Sequence, residues 1–356
     1  MSTTDPSAGE GREGSREGSR EEAREESPFV QISEHAMSFL HSAALRTAAQ
    51  LRVADQLADG PRTVEEIATA TGVSAPHLLR VLRLLATRDV FREDRNGSFH
   101  LTPKAELLRS DVPSSMREGV LMVTGELFWK PAERLDETVR DGRTVFDDVF
   151  GGAFFDYFRQ KPEAGAAFDV GMASLSEGEN ATIADAYPFP ATGTVVDVGG
   201  GRGGLLRQVL LHNPGLTGVL YDQESVIRDH HLDGPELEGR WETRSGDFFA
   251  SVPEGADVYM FKRIFHDWTD EECRRILRAC RTAMKPGSKL LVLDAVIEEG
   301  NAPQAGKTLD VLMLTSLNGR ERGEAEFRRL LTQPGLRVTK VIRTSSPVGI
   351  VEVTAE

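Results

Sequence analysis

At 356 residues the chain is too long for one ordinary core and predicts two folded domains. Hydrophobic residues at 39% and charged residues at 28% fit a globular protein, and no run approaches the roughly 20 apolar residues that span a bilayer, which excludes a membrane partner. A formal charge of −14, from 56 acidic against 42 basic residues, repels a phosphate backbone and argues against nucleic acid.

Residues 1–27 carry the near-repeat GREGSREGSREEAREE and almost no large apolar side chain. Such a segment cannot bury enough surface to offset its ordering entropy, so a disordered tail is expected, with no secretory signal. From 28 to 118 the signals are helical, with Leu40, Ala44, Ala48 and Leu51 at helix-like intervals, then Val64, Ile67 and Ala68. Thr63 before Glu65 and Glu66 reads as an N-cap, Gly72 as a stop and Ser74 as the next cap. Residues 90–101 read as two short strands around Asn96-Gly97. Helix, turn, helix and hairpin form a winged-helix pattern. The segment HLLRVLRLLATR, where such domains place a DNA-recognition helix, is apolar around most of its circumference, so packing in a dimer or substrate domain is expected instead.

Residues 119–186 look helical, with an aromatic cluster at Phe150, Phe154, Phe155, Tyr157, Phe158 and Phe168. Most of these rings suit a core, and some suit a pocket for a flat ligand. Pro188 and Pro190 mark a boundary. Over 187–356 strand-like runs alternate with helices: TVVDVG, GVLYD, DVYMFKRI, KLLVLDAV and, close together at the end, VTKVIRT and VGIVEVT. Repeated strand–helix units predict a mostly parallel sheet, with one of the last two strands antiparallel. A helix over 270–284, capped by Asp270, holds both cysteines, Cys273 and Cys280. Their spacing suits buried helix positions better than a disulfide and points to a reducing cytosol.

The sharpest motif is Val195-Val196-Asp197-Val198-Gly199-Gly200-Gly201-Arg202-Gly203-Gly204, a strand ending in a glycine turn that opens a helix. Alone it does not separate a nicotinamide dinucleotide from S-adenosylmethionine. The next strand ends at Asp222, followed by Gln223, where a carboxylate meets a ribose diol. Gly246-Asp247-Phe248-Phe249 then offers an acid and a ring suited to adenine. Lys262-Arg263-Ile264-Phe265-His266-Asp267-Trp268 sits at a fourth strand end, where ligands of open α/β sheets bind. A hydride-transfer enzyme has no need of the His-Asp-Trp set. His230 and His231 lack paired ligands at structural-zinc spacing, so no metal is expected.

In this order the motifs resemble the plant caffeate-type and bacterial natural-product O-methyltransferases, over about residues 30–356. The resemblance implies a Rossmann-like α/β methyltransferase domain behind a mainly α-helical winged-helix dimerisation domain, and a homodimer. It implies S-adenosylmethionine as cofactor and S-adenosylhomocysteine as product, bound among Ser176, Asp197, Gly199, Gly201, Asp222, Gln223, Gly246, Asp247, Phe248, Lys262, Arg263 and Trp268. It implies acceptor contacts from Phe155, Phe168, Met172, Asp267, Met313 and Leu317. His266 falls at the family's general base, with Asp294 and Glu321 at its two orienting acids, although Asp294 stands where Glu is usual. The acceptor implied is a small aromatic hydroxyl compound. The remaining alternatives are a same-fold enzyme turned to hydroxylation, decarboxylation or cyclisation, a winged-helix regulator, and an NAD-dependent oxidoreductase.

Overall fold

The protein is described from a computed structural model, which covers residues 27–356; the expected tail lies outside the described residues apart from Ser27. The chain divides into two units, residues 1–40 and 41–356. In the first, the helix Pro28–Met37 starts at Ser27, whose Oγ accepts the Val30 N–H, with proline at the first helical position. Phe29, Ile32, Met37, Phe39 and Leu40 are exposed.

The second unit begins with a helical domain. The helix Val64–Thr71 has the capping box that Thr63 and Glu66 predict: each side chain accepts from the other's backbone N–H. Ser74 precedes the helix Ala75–Ala86, but its hydroxyl bonds the His77 ring at 2.8 Å and caps nothing. That helix is one-sided. Leu78, Leu82 and Leu85 are buried within the chain, while Arg80 and Arg83 face outward. Phe91–Glu93 and Ser98–Leu101 form the expected hairpin, joined by a short strand, Arg62–Thr63, that no sequence signal marked.

The large sheet has seven strands: β1 Gly193–Val198, β2 Leu216–Asp222, β3 Trp241–Ser245, β4 Val258–Lys262, β5 Lys289–Leu293, β6 Leu336–Ile342 and β7 Ile350–Ala355. Their order is β6-β7-β5-β4-β1-β2-β3, and only β7 runs against its neighbours, as the closely spaced final runs require. Central strands are apolar on both faces because helices cover both. Val196, Val198, Tyr259, Phe261, Leu290 and Val292 enter one layer, and Val195, Val258, Met260, Leu291 and Leu293 the other. The chain leaves β1 for β2 on one side and returns to β4 on the other. The crevice at that reversal is where such sheets bind ligands.

The helix Asp270–Ala283 buries Cys273, Ile276, Leu277, Cys280 and Ala283 along one stripe, and both thiols are free. Its cap is Thr269, one residue before the expected Asp270, in a second capping box with Glu272. Thr269→Ala is expected to cost about 1 kcal/mol. Urea unfolding checks this, and an unchanged midpoint would show the helix start to be held by packing alone.

Candidate active site

The turn after β1 is built from backbone. Gly199, Gly201 and Gly203 have φ of 66°, 58° and 82°, a region that side chains resist. A Cβ on Gly199 would collide with Ile264 Cδ1 and lie 3.6 Å from the Phe248 ring. Asp222 braces the loop from β2: Oδ2 accepts the Gly201 N–H at 2.9 Å and Oδ1 the Gln223 N–H at 2.6 Å. The Gly246 N–H donates to the Asp222 carbonyl, and Asp247 accepts from the Phe249 N–H. Phe248 and Phe249 both meet Trp268 edge-on, and Phe155 stacks on Trp268 at 5.3 Å. A glycine cradle, a carboxylate at the second strand end and a ring beside the cradle fit a nucleoside-bearing cofactor.

Two of the residues expected at the cofactor face the protein itself. The Asp197 side chain is fully buried, directly beneath Gly200. Burial pushes its carboxyl up to about 7 against the pull of Lys262. It supports the loop from below and has no surface to offer a ligand. The Arg263 guanidinium pairs with Glu179 through Nε and Nη2, at 3.2 and 2.6 Å. Lys262 reaches the long helix Pro162–Ala186, donating to Asn180 Oδ1 at 2.5 Å and the Ser176 carbonyl at 3.4 Å. Burial lowers its ammonium to about 8 although Glu179 opposes this.

His266 occupies a short 3₁₀ turn, Phe265–Asp267, and is 5% exposed. Nδ1 bonds Glu321 Oε1 at 2.7 Å, and Nε2 lies 3.3 Å from Asp267 Oδ1. Burial alone would depress the imidazole. The carboxylate of Asp267, the Glu321 bond and the charge of Asp294 outweigh it and hold the ring at about 9. Asp267 rises to about 7 through burial, with His266 pulling the other way. Asp294 is fully buried and its carboxyl is raised by burial, yet neither oxygen makes a hydrogen bond. Of the two acids expected to orient the ring, only Glu321 touches it. The shorter aspartate stays within electrostatic reach.

The segment Gly319–Arg322 moulds this turn, and sequence reasoning missed most of it. A Cβ on Gly319 would strike the His266 carbonyl and sit 2.6 Å from Trp268 N. Arg322, 1% exposed, donates Nη1 to the Phe265 carbonyl at 2.8 Å and Nη2 to the Trp268 carbonyl at 2.9 Å. Its fork also holds Asp270 Oδ1, at 2.8 and 3.0 Å. One buried cation thus clasps the chain on both sides of His266.

Beside the turn lies an aromatic cluster. Phe128, Phe146, Phe154, Met313 and Leu317 are buried together, with Phe155, Phe158 and Phe168 packed on them. Phe158 and Phe168 stack at 4.8 Å. Met172 is half-buried one turn beyond Phe168 on the long helix. Phe128 and Phe146 escaped notice because each stands outside the aromatic run of 150–168. No group of His, Cys, Asp or Glu among the described residues could hold a metal ion, and His230 packs its ring on Trp241.

Known proteins share this plan. The O-methyltransferase domain family matches residues 132–337, and the O-methyltransferase dimerisation domain family matches 33–111. The chain is 40% identical over 311 residues to a phenazine O-methyltransferase of Lysobacter antibioticus, covering 87% of this chain and 91% of the relative. It is 39% identical to the mitomycin biosynthesis 6-O-methyltransferase of Streptomyces lavendulae, covering 87% and 90%. At 34% it is similar to an 8-amino-8-demethylriboflavin N,N-dimethyltransferase of Streptomyces davaonensis, covering 86% and 90%. Among solved structures it resembles CalO1 of calicheamicin biosynthesis, bound to S-adenosylhomocysteine, with a TM-score of 0.85 and 46% identity over 92% of this chain and 98% of that one. It also resembles NcsB1 of neocarzinostatin biosynthesis, bound to S-adenosylmethionine and 2-hydroxy-5-methyl naphthoic acid, with a TM-score of 0.72 and 36% identity over 89% and 96%.

Arg322→Ala takes the charged donor from the Phe265 and Trp268 carbonyls, leaving them only the longer contacts from the Trp268 N–H and the Cys273 thiol, and urea unfolding is expected to show about 3 kcal/mol lost. A loss under roughly 1 kcal/mol would mean that the turn holds its own shape.

Proposed function

The chain belongs to the S-adenosylmethionine-dependent O-methyltransferase family, and on that premise we propose that it methylates a phenolic or enolic hydroxyl of a small aromatic natural product, with His266 as general base. The observation that carries this reading is His266 itself, held on Nδ1 by Glu321 beside an aromatic cluster at the carboxyl end of β4. Relatives in phenazine and mitomycin chemistry, and a neighbour with a naphthoic acid bound, support an aromatic acceptor from bacterial secondary metabolism.

S-adenosylmethionine, when bound, supplies an electrophilic methyl group on a sulfonium. The residues fitted to hold it are Gly199 and Gly201 through backbone, Asp222 at the ribose, Asp247 and Phe248 at the adenine, and Ser176 with Lys262 beside the long helix. Asp222→Ala is expected to lose S-adenosylmethionine affinity by about tenfold or more, since a ribose diol loses a charged acceptor. Calorimetry checks it, and equal affinity would remove Asp222 from the site.

A phenol near pKa 10 is mostly protonated at neutral pH and is a poor nucleophile until its proton leaves. Glu321 fixes the proton on Nδ1 of the neutral ring, which leaves the Nε2 lone pair to take the acceptor's proton. Asp267, 3.3 Å from Nε2, stabilises the imidazolium so formed. The aromatic cluster, with Phe155 on Trp268, excludes water and orients a flat ring. His266→Ala is expected to slow transfer by about 10²- to 10⁴-fold and leave S-adenosylmethionine binding intact.

The rival acceptor is an aromatic amine, favoured by the N,N-dimethyltransferase relative. A neutral amine attacks without first losing a proton, so His266→Ala would then barely slow the reaction. Mass spectrometry of the products from a panel of aminophenols separates the two. The pH profile reads the base directly. His266 is protonated below about 9, so the rate should climb with pH towards that value as the neutral ring appears. Asp267→Asn removes the largest influence raising the ring, and the climbing limb should move to lower pH. A limb that stays put means that His266 is not the group being titrated.

The dimerisation domain and the exposed Phe29, Ile32, Met37, Phe39 and Leu40 favour a homodimer in which these side chains are covered. Sedimentation is expected to give twice the 39.1 kDa of one chain.

A further inference from the structure

Two cations leave the end of β4 side by side, and both turn to one turn of the long helix. Lys262 meets Asn180, and the Arg263 fork meets both oxygens of Glu179. Lys262, Arg263 and Glu179 have side chains only 9%, 13% and 11% exposed. Arg263 also has a φ of 54°, a left-handed backbone that a bulky residue adopts at a cost. Strain of this kind survives only where surrounding contacts impose it, and it collects at functional sites. A buried ion pair is in itself a weak source of stability, because desolvation cancels much of the attraction. Fork geometry, burial and strain coincide three residues before His266.

Each partner is tied to a different part of the site. Glu179 lies on the helix that also carries Phe168, Met172 and Ser176. Arg263 belongs to the base turn, and its charge is felt by Asp267 and Asp294, whose ionised forms it favours. The charged groups facing it are Lys262, Glu179, Asp267, Asp294 and Glu321, with Arg322 and His266 on the far side of the same acids.

We propose that the Arg263–Glu179 pair is a positioning clamp, which locks the long helix against the base turn while Arg263 supplies a fixed positive charge to the acids around His266. The clamp rests on the methyltransferase reading only for what the helix faces. Neither residue touches the reacting atoms.

The test separates charge from fork. Arg263→Lys keeps the charge and loses the bidentate grip, Arg263→Gln loses both, and Glu179→Gln removes the partner. Hydrogen exchange of the peptide 163–178 reads the helix, and ¹³C NMR of aspartate carboxyls, assigned with Asp267→Asn and Asp294→Asn, reads the field. All three variants should speed exchange of the peptide, by about fivefold, with the double Arg263→Gln/Glu179→Gln variant no faster than either single. Only variants lacking the Arg263 charge should raise the Asp267 and Asp294 midpoints, by about half a unit or more. Additive exchange rates in the double variant, or midpoints unmoved by Arg263→Gln, would overturn the clamp. A merely structural role predicts the faster exchange with both midpoints unmoved. Should Arg263→Gln fail to fold, Arg263→Lys and Glu179→Gln still decide the exchange arm. Neither readout needs a cofactor or acceptor, so failure of the wild-type protein to bind S-adenosylmethionine would sink the methyltransferase reading and leave the clamp to be judged separately.

Discussion

His266 is buried among acids, and its 2.7 Å Nδ1 bond to Glu321 is the contact on which the rest of this site depends. It decides the tautomer, placing the proton of the neutral ring on Nδ1 and leaving Nε2 as its acceptor. The bond is only as good as the turn beneath it. That turn is 3₁₀, three residues long, and has little hydrogen bonding of its own. Arg322 supplies what is missing, by donating to the carbonyls before and after His266 from the residue next to Glu321. Orientation of the ring and the shape of its turn therefore come from one short segment of chain.

The same economy governs the sheet. Strand order reverses between β1 and β4, so the glycine loop and the base turn leave neighbouring strands and flank one crevice. Ile264, from the base turn, packs where a Gly199 side chain would be. The loop that suits a nucleoside and the loop that carries His266 are thus in contact. Phe248 joins them from the third strand end, lying near both Gly199 and Trp268.

How much of this was legible in the sequence follows from distance along the chain. Thr63 with Glu66, the Asn96-Gly97 hairpin and the glycine loop are local devices, and local residue types announce them. His266, Asp222 and the Asp247-Phe248 pair were legible because each sits at a strand end, where α/β sheets place ligands. Arg322 and Glu179 were not. Arg322 lies 57 residues from the carbonyl it grips at Phe265, and Glu179 lies 84 from Arg263. In a string such as NGRERGE nothing distinguishes the arginine that is buried from the one that is solvated. Asp197 erred in the other direction, since it belongs to the loop motif but serves beneath it. Ser74 shows that even a local rule yields when a nearer partner, the His77 ring, competes for the hydroxyl.

Asp294 makes sense in this light. A glutamate at that position would reach one methylene farther toward the imidazole and compete for a ring nitrogen that Glu321 already holds. The aspartate keeps its charge near His266 and leaves the geometry to a single acid. It can do so because its own burial is answered by His266 first and then by Arg263 and Arg322, which favour its ionised form. The two arginines are in turn anchored by Glu179 and Asp270, outside the cluster. The field at His266 thus includes the distant charge of Asp294, while Glu321 on Nδ1 and Asp267 near Nε2 meet the ring directly.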